Sequence, residues 1–228
     1  MSKLLHNEIA KLEKKMLTLS ALAEENVHKA IKAVETRDIE LAKETIEGDV
    51  EIDRLEVELE EDCLKTLALY QPVASDLRFI VAILKINNDL ERVGDFATSI
   101  ARRAIELADM PVVDLPFDPH SMGEKAWSMI SRALDALVSA NIGLAQQVRL
   151  DDKEVDQMHR DNVAKLQEAL RNNARYIDCY TALFLVSRSL ERIGDHATNI
   201  AEDVIYLFEG EIVRHGNKEA PKQDTPGS

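Results

Sequence analysis

Aromatic side chains are scarce in this sequence, at 4% of 228 residues, and it carries only 8 glycines and 6 prolines. Sheet proteins draw on aromatic and β-branched residues and on frequent turn punctuation, so this poverty argues against a β or mixed fold. Two cysteines, Cys63 and Cys179, have no CxxC spacing and cannot build a disulfide framework. Both fall in apolar helical stretches and read as reduced core thiols. No apolar run approaches the roughly 18 residues of a membrane span. The opening Met1-Ser2-Lys3-Leu4-Leu5-His6-Asn7 turns polar too early for a signal peptide. Basic charge is also short, with 28 Lys and Arg against 42 Asp and Glu, a net charge of −14. That balance disfavours nucleic acid and anionic lipid, and favours cations and basic protein surfaces. The expected location is the cytoplasm.

What is present is helical and duplicated. Apolar residues make up 45% and charged residues 31%, a balance suited to helices with one buried face. Leu90-Glu91-Arg92-Val93-Gly94-Asp95-Phe96-Ala97-Thr98 recurs as Leu190-Glu191-Arg192-Ile193-Gly194-Asp195-His196-Ala197-Thr198, an offset of 100 residues. Upstream the match continues at an offset of 103, from Asp38 with Asn141 to Asp53 with Asp156. Such self-similarity marks an internal duplication. The fold class is therefore all-α, as two tandem antiparallel three-helix bundles related by internal pseudo-twofold symmetry. The boundaries are 1–109 for the first repeat, 110–119 for a Pro-rich linker, 120–215 for the second repeat and 216–228 for a disordered tail.

Within the first repeat, Ile9, Leu12, Met16, Leu19, Ala23, Val27, Ala30 and Val34 recur at helical spacing. Asp38 and Asn141 suit the N-caps of the second helix in each copy. That helix breaks at Gln71-Pro72-Val73 in copy one, where proline cannot continue it.

Four acid pairs have i,i+4 spacing: Asp49/Asp53, Glu91/Asp95, Asp152/Asp156 and Glu191/Asp195. This spacing puts both acids of a pair on one helix face, at a cost of a few tenths of a kcal/mol unless a cation compensates. Asp53, Glu91 and Asp156 each follow a seam residue, so the acids flank the core. Asp53 and Glu91 are both 19 residues from Pro72, and Asp49 and Asp95 are both 23 from it. In copy two the same pairs are symmetric about the turn that follows Asn172. In an antiparallel hairpin, residues equidistant from the turn lie level, so each copy gathers four carboxylates at one height. Gly94 and Gly194, beside the pairs, cost about 1 kcal/mol each in a helix interior. They permit close backbone approach or leave room for an ion with its waters.

Four convergent carboxylates repel or share protons unless a cation joins them. Oxygen ligation favours Mg, Mn, Ca or oxidised Fe, with Zn less favoured, so the expectation is one metal site per copy. The competing expectation is that Arg92 and Arg192 neutralise the acids as ordinary ion pairs. His159 and His196 are possible accessory ligands in copy two, and Thr98, Thr198 and Asn199 possible supporting groups. Glu202 extends the acidic stripe where copy one has Arg102, so the two sites are expected to be unequal.

The paired motifs, together with Gln71-Pro72-Val73-Ala74-Ser75-Asp76-Leu77-Arg78, resemble the PhoU family of phosphate-specific transport accessory regulators over nearly the whole chain. The resemblance implies that the acidic motifs bind metal. It further implies a non-enzymatic negative regulator of the phosphate-starvation response, which couples a phosphate ABC transporter ATPase to a sensor histidine kinase. A homodimer is implied as well. The alternative is a carboxylate-bridged di-metal oxidase of ferritin-like type, for which Asp156-x-x-His159 is a partial echo.

Overall fold

The computed structural model describes residues 3–210, and within them every regular element is helical. Helices α1 (Lys3–Thr36), α2 (Ile39–Tyr70) and α3 (Ala74–Ala108) form the first group. Helices α4 (Pro119–Val138), α5 (Ile142–Asn172) and α6 (Ile177–Glu209) form the second, with a 3₁₀ turn at Ala174–Tyr176 before α6. The tail expected at 216–228, and the last residues of the second repeat, lie outside the described residues.

Helix limits follow local chemistry. Asp38 Oδ1 accepts from Leu41 N at 3.0 Å, and Asn141 Oδ1 accepts from Leu144 N at 3.1 Å. Each satisfies one of the amides that a helix start leaves orphaned. Asp118 does the same for Ser121 at 3.1 Å, with Pro119 pre-set for the first turn. Helix α2 stops at Gln71, whose left-handed backbone (φ 47°) returns its amide to Leu67 O. The following Pro72 prevents resumption.

The α1–α2 turn also fastens the linker. Arg37, itself left-handed at φ 55°, donates from Nη1 to Leu107 O and Met110 O, both at 2.7 Å. Its Nη2 donates to Pro111 O at 3.1 Å. One guanidinium thus closes the end of α3, where carbonyls would otherwise lack partners. The linker packs inward further on, with Phe117 buried. Arg37→Gln is expected to lower stability by about 1–2 kcal/mol, since hydrogen bonds to charged groups contribute that order. Urea denaturation would show a lower midpoint at unchanged slope.

Helices α1 and α2 pack on α3, and α4 and α5 pack on α6. The groups join because α3 also packs along α6, with a smaller α1–α4 contact. Apolar residues of both groups form one continuous core, from Leu12 and Met16 through Leu90 to Leu190 and Ile200. Helices α3 and α6 run antiparallel: Arg78 Nε, near the start of α3, donates to Leu207 O near the end of α6. Lys85 reaches Asp203, and Asp89 reaches His196, in the same descending register. Cys63 and Cys179 are buried free thiols, and burial pushes the Cys63 thiol up to about 12. Cys63 is therefore not poised as a nucleophile at neutral pH.

Candidate metal centre

In the first hairpin α2 presents Asp49 and Asp53, and α3 presents Glu91 and Asp95. They share one electrostatic neighbourhood. Burial raises the Asp49 pKa, and the charges of Asp53 and Asp95 raise it further. Glu91 is raised by burial, then by Asp95, with Asp53 and Glu56 adding smaller increments. Asp53 and Asp95 are exposed, whereas Asp49 and Glu91 are half-buried.

Asp49 lies against Gly94. A methyl group at Gly94 would fall 2.9 Å from Asp49 Oδ1 and 3.2 Å from the Ile52 side chain. The glycine therefore serves close approach, letting a carboxylate on α2 rest on the backbone of α3. Asp49 Oδ1 is shut off from solvent, as is Thr98 Oγ1. Thr98 is near enough to offset part of the Asp49 rise, yet neither atom has a hydrogen-bond partner of sound geometry. A buried carboxylate oxygen without a donor is costly, and a cation or a proton relieves it.

The second hairpin repeats this with more strain. Asp152 is raised from 3.8 to about 6, by burial first and then by Asp156 and Asp195. Glu191 and Asp195 are also raised, burial leading, with Asp156 acting on both. Thr198 Oγ1 is buried without a partner, like Thr98. A methyl group at Gly194 would stand 3.7 Å from Asp152 Oδ1 and 3.2 Å from Val155. The larger rise at Asp152 has a local reason: Glu202 raises it, whereas Arg102 at the equivalent place lowers Asp49.

Arginine competes for part of each set. Arg92 Nη1 donates to Asp95 at 3.0 Å and Nε stands 3.6 Å from Glu91, while Arg192 Nη1 donates to Asp195 at 2.7 Å. Among the described residues, Asp49 and Asp152 receive no such partner. Among the described residues, no three carboxylates, imidazoles or thiolates stand close enough to close on one ion. The donor set suits a hard cation, and closure requires the exposed Asp53 and Asp95 to rotate and Arg92 to release Asp95.

The imidazoles go elsewhere. His159 Nδ1 meets Ser187 Oγ at 2.9 Å, with its ring against Phe184, and burial lowers its pKa. His196 Nδ1 meets Asp89 Oδ1 at 2.7 Å, and Asn199 Nδ2 donates to the same oxygen at 3.3 Å. His196 Nδ1 and the Asn199 amide thus serve the α3–α6 seam. Glu202 pairs with Arg149 at 3.3 Å and acts on Asp152 through its charge.

Sequence reasoning missed Asp89. Its signal was an acid one step from the apolar seam residue Leu90, where the second repeat has Ser189.

The PhoU domain model matches residues 16–104 and again 120–204. The phosphate-specific transport system accessory protein PhoU homolog of Pseudomonas putida is 38% identical over 209 residues, covering 91% of this chain and 82% of that protein. The phosphate-specific transport system accessory protein PhoU of Escherichia coli is 34% identical over 208 residues, covering 91% and 86%. The crystal structure of PhoU from Pseudomonas aeruginosa superposes with a TM-score of 0.84 at 37% identity, covering 90% of this chain and 99% of that one. With the domain matched twice, in register with the duplicated hairpins, this chain belongs to the PhoU family.

Proposed function

We propose that this protein is a non-enzymatic, cytoplasmic regulator of phosphate uptake that couples a phosphate ABC transporter ATPase to a sensor histidine kinase. In this reading it works as a homodimer. Cations are held by Asp49, Asp53, Glu91 and Asp95 in one repeat, and by Asp152, Asp156, Glu191 and Asp195 in the other. Family membership supports the phosphate role, since relatives carry the name of phosphate-specific transport accessory proteins. The observation that supports the cation reading is the four-carboxylate set itself, in which burial and mutual charge hold carboxylates above their ordinary range in both hairpins.

A bound cation would supply the positive charge that lets four carboxylates ionise together. Asp49 and Asp152 rest on the α3 and α6 backbones and would fix one side of each site. Asp53 and Asp95 are exposed and would complete the first from solvent. Helix α2 would then be tied to α3, and α5 to α6, which changes how rigidly each acidic flank faces a partner. No helix among the described residues is long and apolar enough to cross a membrane, so contact with a transporter would pass through protein surfaces.

The di-metal oxidase alternative finds no support in the geometry. His159 is occupied by Ser187 and His196 by Asp89, so neither carboxylate group recruits the imidazole that such sites use.

The test is affinity capture with the tagged full chain on membranes prepared at high and low phosphate. The expected result is recovery of transporter ATPase and kinase in phosphate-dependent amounts. Recovery of neither, at either level, would overturn the proposed role.

A further inference from the structure

Two grooves line the α3–α6 seam, and the duplication relates them. One, about 760 Å³, includes Lys85, Asp89, Asn199 and Asp203 in its lining. The other, about 390 Å³, is lined by Arg92, Arg103, Arg188 and Arg192, with Ser99, Ser189 and Phe96. At the offset of 100 residues, Arg103 replaces Asp203, Ser189 replaces Asp89 and Phe96 replaces His196. The chemistry inverts. In the larger groove carboxylates dominate, and the two that are replaced are already occupied, Asp203 by Lys85 and Asp89 by His196. In the smaller one four guanidiniums face a single lining carboxylate, Asp95.

We propose that this arginine groove binds a phosphate-bearing small molecule, inorganic phosphate or the phosphate chain of a nucleotide. Guanidinium matches phosphate oxygens in a bidentate fork, and four of them around one cavity exceed what a single carboxylate neutralises. Arg92 bonds Asp95, while the carboxylates held by Arg192 and Arg103, Asp195 and Glu106, do not line the groove. Arg188 makes no hydrogen bond or ion pair among the described residues, and neither does Ser99 nor Ser189. Ser189, 8% exposed, lines the groove and brings a hydroxyl that can donate to an anion held there. Phe96 walls one side and lies under Arg192, ring to guanidinium 6.0 Å. The volume falls in the range of small-ligand sites. A net charge of −14 argues against anion binding for the chain as a whole, but a site is governed by its local field.

The groove shares Arg92 and Asp95 with the first acidic set, so anion binding is measured with metal removed. Chelator-treated protein is titrated with inorganic phosphate, pyrophosphate and adenosine triphosphate at constant ionic strength, read by calorimetry and thermal midpoint. Saturation by phosphate alone assigns free phosphate. Saturation only by pyrophosphate and the nucleotide assigns a phosphate chain. Either supports the site, provided that R188Q and S189A each weaken binding about tenfold while the remote R175Q does not. Arg188 is exposed and acts on Glu191 and His159 only through its charge, so R188Q is expected to fold as the parent does, with an unchanged thermal midpoint in the absence of anion. Absence of saturable binding by all three anions, or binding that both groove variants leave intact, overturns it.

Discussion

His196→Phe is expected to destabilise the protein by about 2–3 kcal/mol, the largest effect among single changes at the α3–α6 seam. Both partners of the Asp89–His196 pair are nearly out of solvent, at 9% and 10% side-chain exposure. An ionised carboxylate only accepts, so the network assigns the Nδ1 proton to His196. Without that donor Asp89 keeps only Asn199, at 3.3 Å, against the desolvation of a buried charge. A phenylalanine at 196 would pack against Phe96, whose centroid is 5.6 Å from the imidazole, and recover a fraction of the loss. The duplication suggests the rescue. Asp89→Ser together with His196→Phe gives the seam the residues found at Ser189 and Phe96, and removes the buried charge with its partner. The double variant is expected to regain most of the stability, with a coupling of about 2 kcal/mol in a urea double-mutant cycle. Additive costs would show that the pair does not interact.

The same seam shows where the sequence was readable and where it was not. Core positions of α1 were legible because a 3.6-residue period needs no tertiary knowledge, and Leu12, Met16, Leu19, Ala23, Val27, Ala30 and Val34 are buried accordingly. The hairpin turns were legible because Pro72 and the capping residues act locally. Acid pairs could be placed level because both arms of a hairpin are measured from one turn. Helix α3 meeting α6 is a contact between repeats, and no period within one repeat announces it. His196 therefore read as a neighbour of Asp195, although a helix turns 100° per residue and carries it onto another face. The arginine groove was hidden for a related reason: net charge averages over the surface, and only the seam brings Arg103 beside Arg188.

Gly94 and Gly194 had two readings, close approach or room for an ion, and the structure favours the first. A methyl group at Gly94 would come within 2.9 Å of Asp49 Oδ1, which leaves no spare volume there. Any cation must then sit on the solvent side of Asp49, between the exposed Asp53 and Asp95.

Asp152→Asn is the variant whose effect should change sign with metal. Asp152 is raised from 3.8 to about 6, by burial and then by Asp156 and Asp195. Between those values the folded state holds more protons than the unfolded one, so stability falls as pH rises from about 4 to 6. Below that window both states are protonated and the cost is absent; above it the cost is complete. Chelator-treated wild-type protein should therefore lose stability across this window, and the asparagine variant should lose less. At neutral pH the variant should be more stable by about 1 kcal/mol, the shift being discounted because the group is part-exposed. With saturating Mn or Mg the order should reverse. Metal at a hundredfold excess over its dissociation constant adds about 2.7 kcal/mol to a protein that binds it only when folded. The variant, missing one charged ligand, should keep little of that gain at the second site. Thermal midpoints measured with chelator and with metal, across pH, separate the terms. A wild-type midpoint indifferent to Mg, Mn, Fe and Zn would remove the cation from the mechanism and leave Arg92 and Arg192 as the neutralising groups.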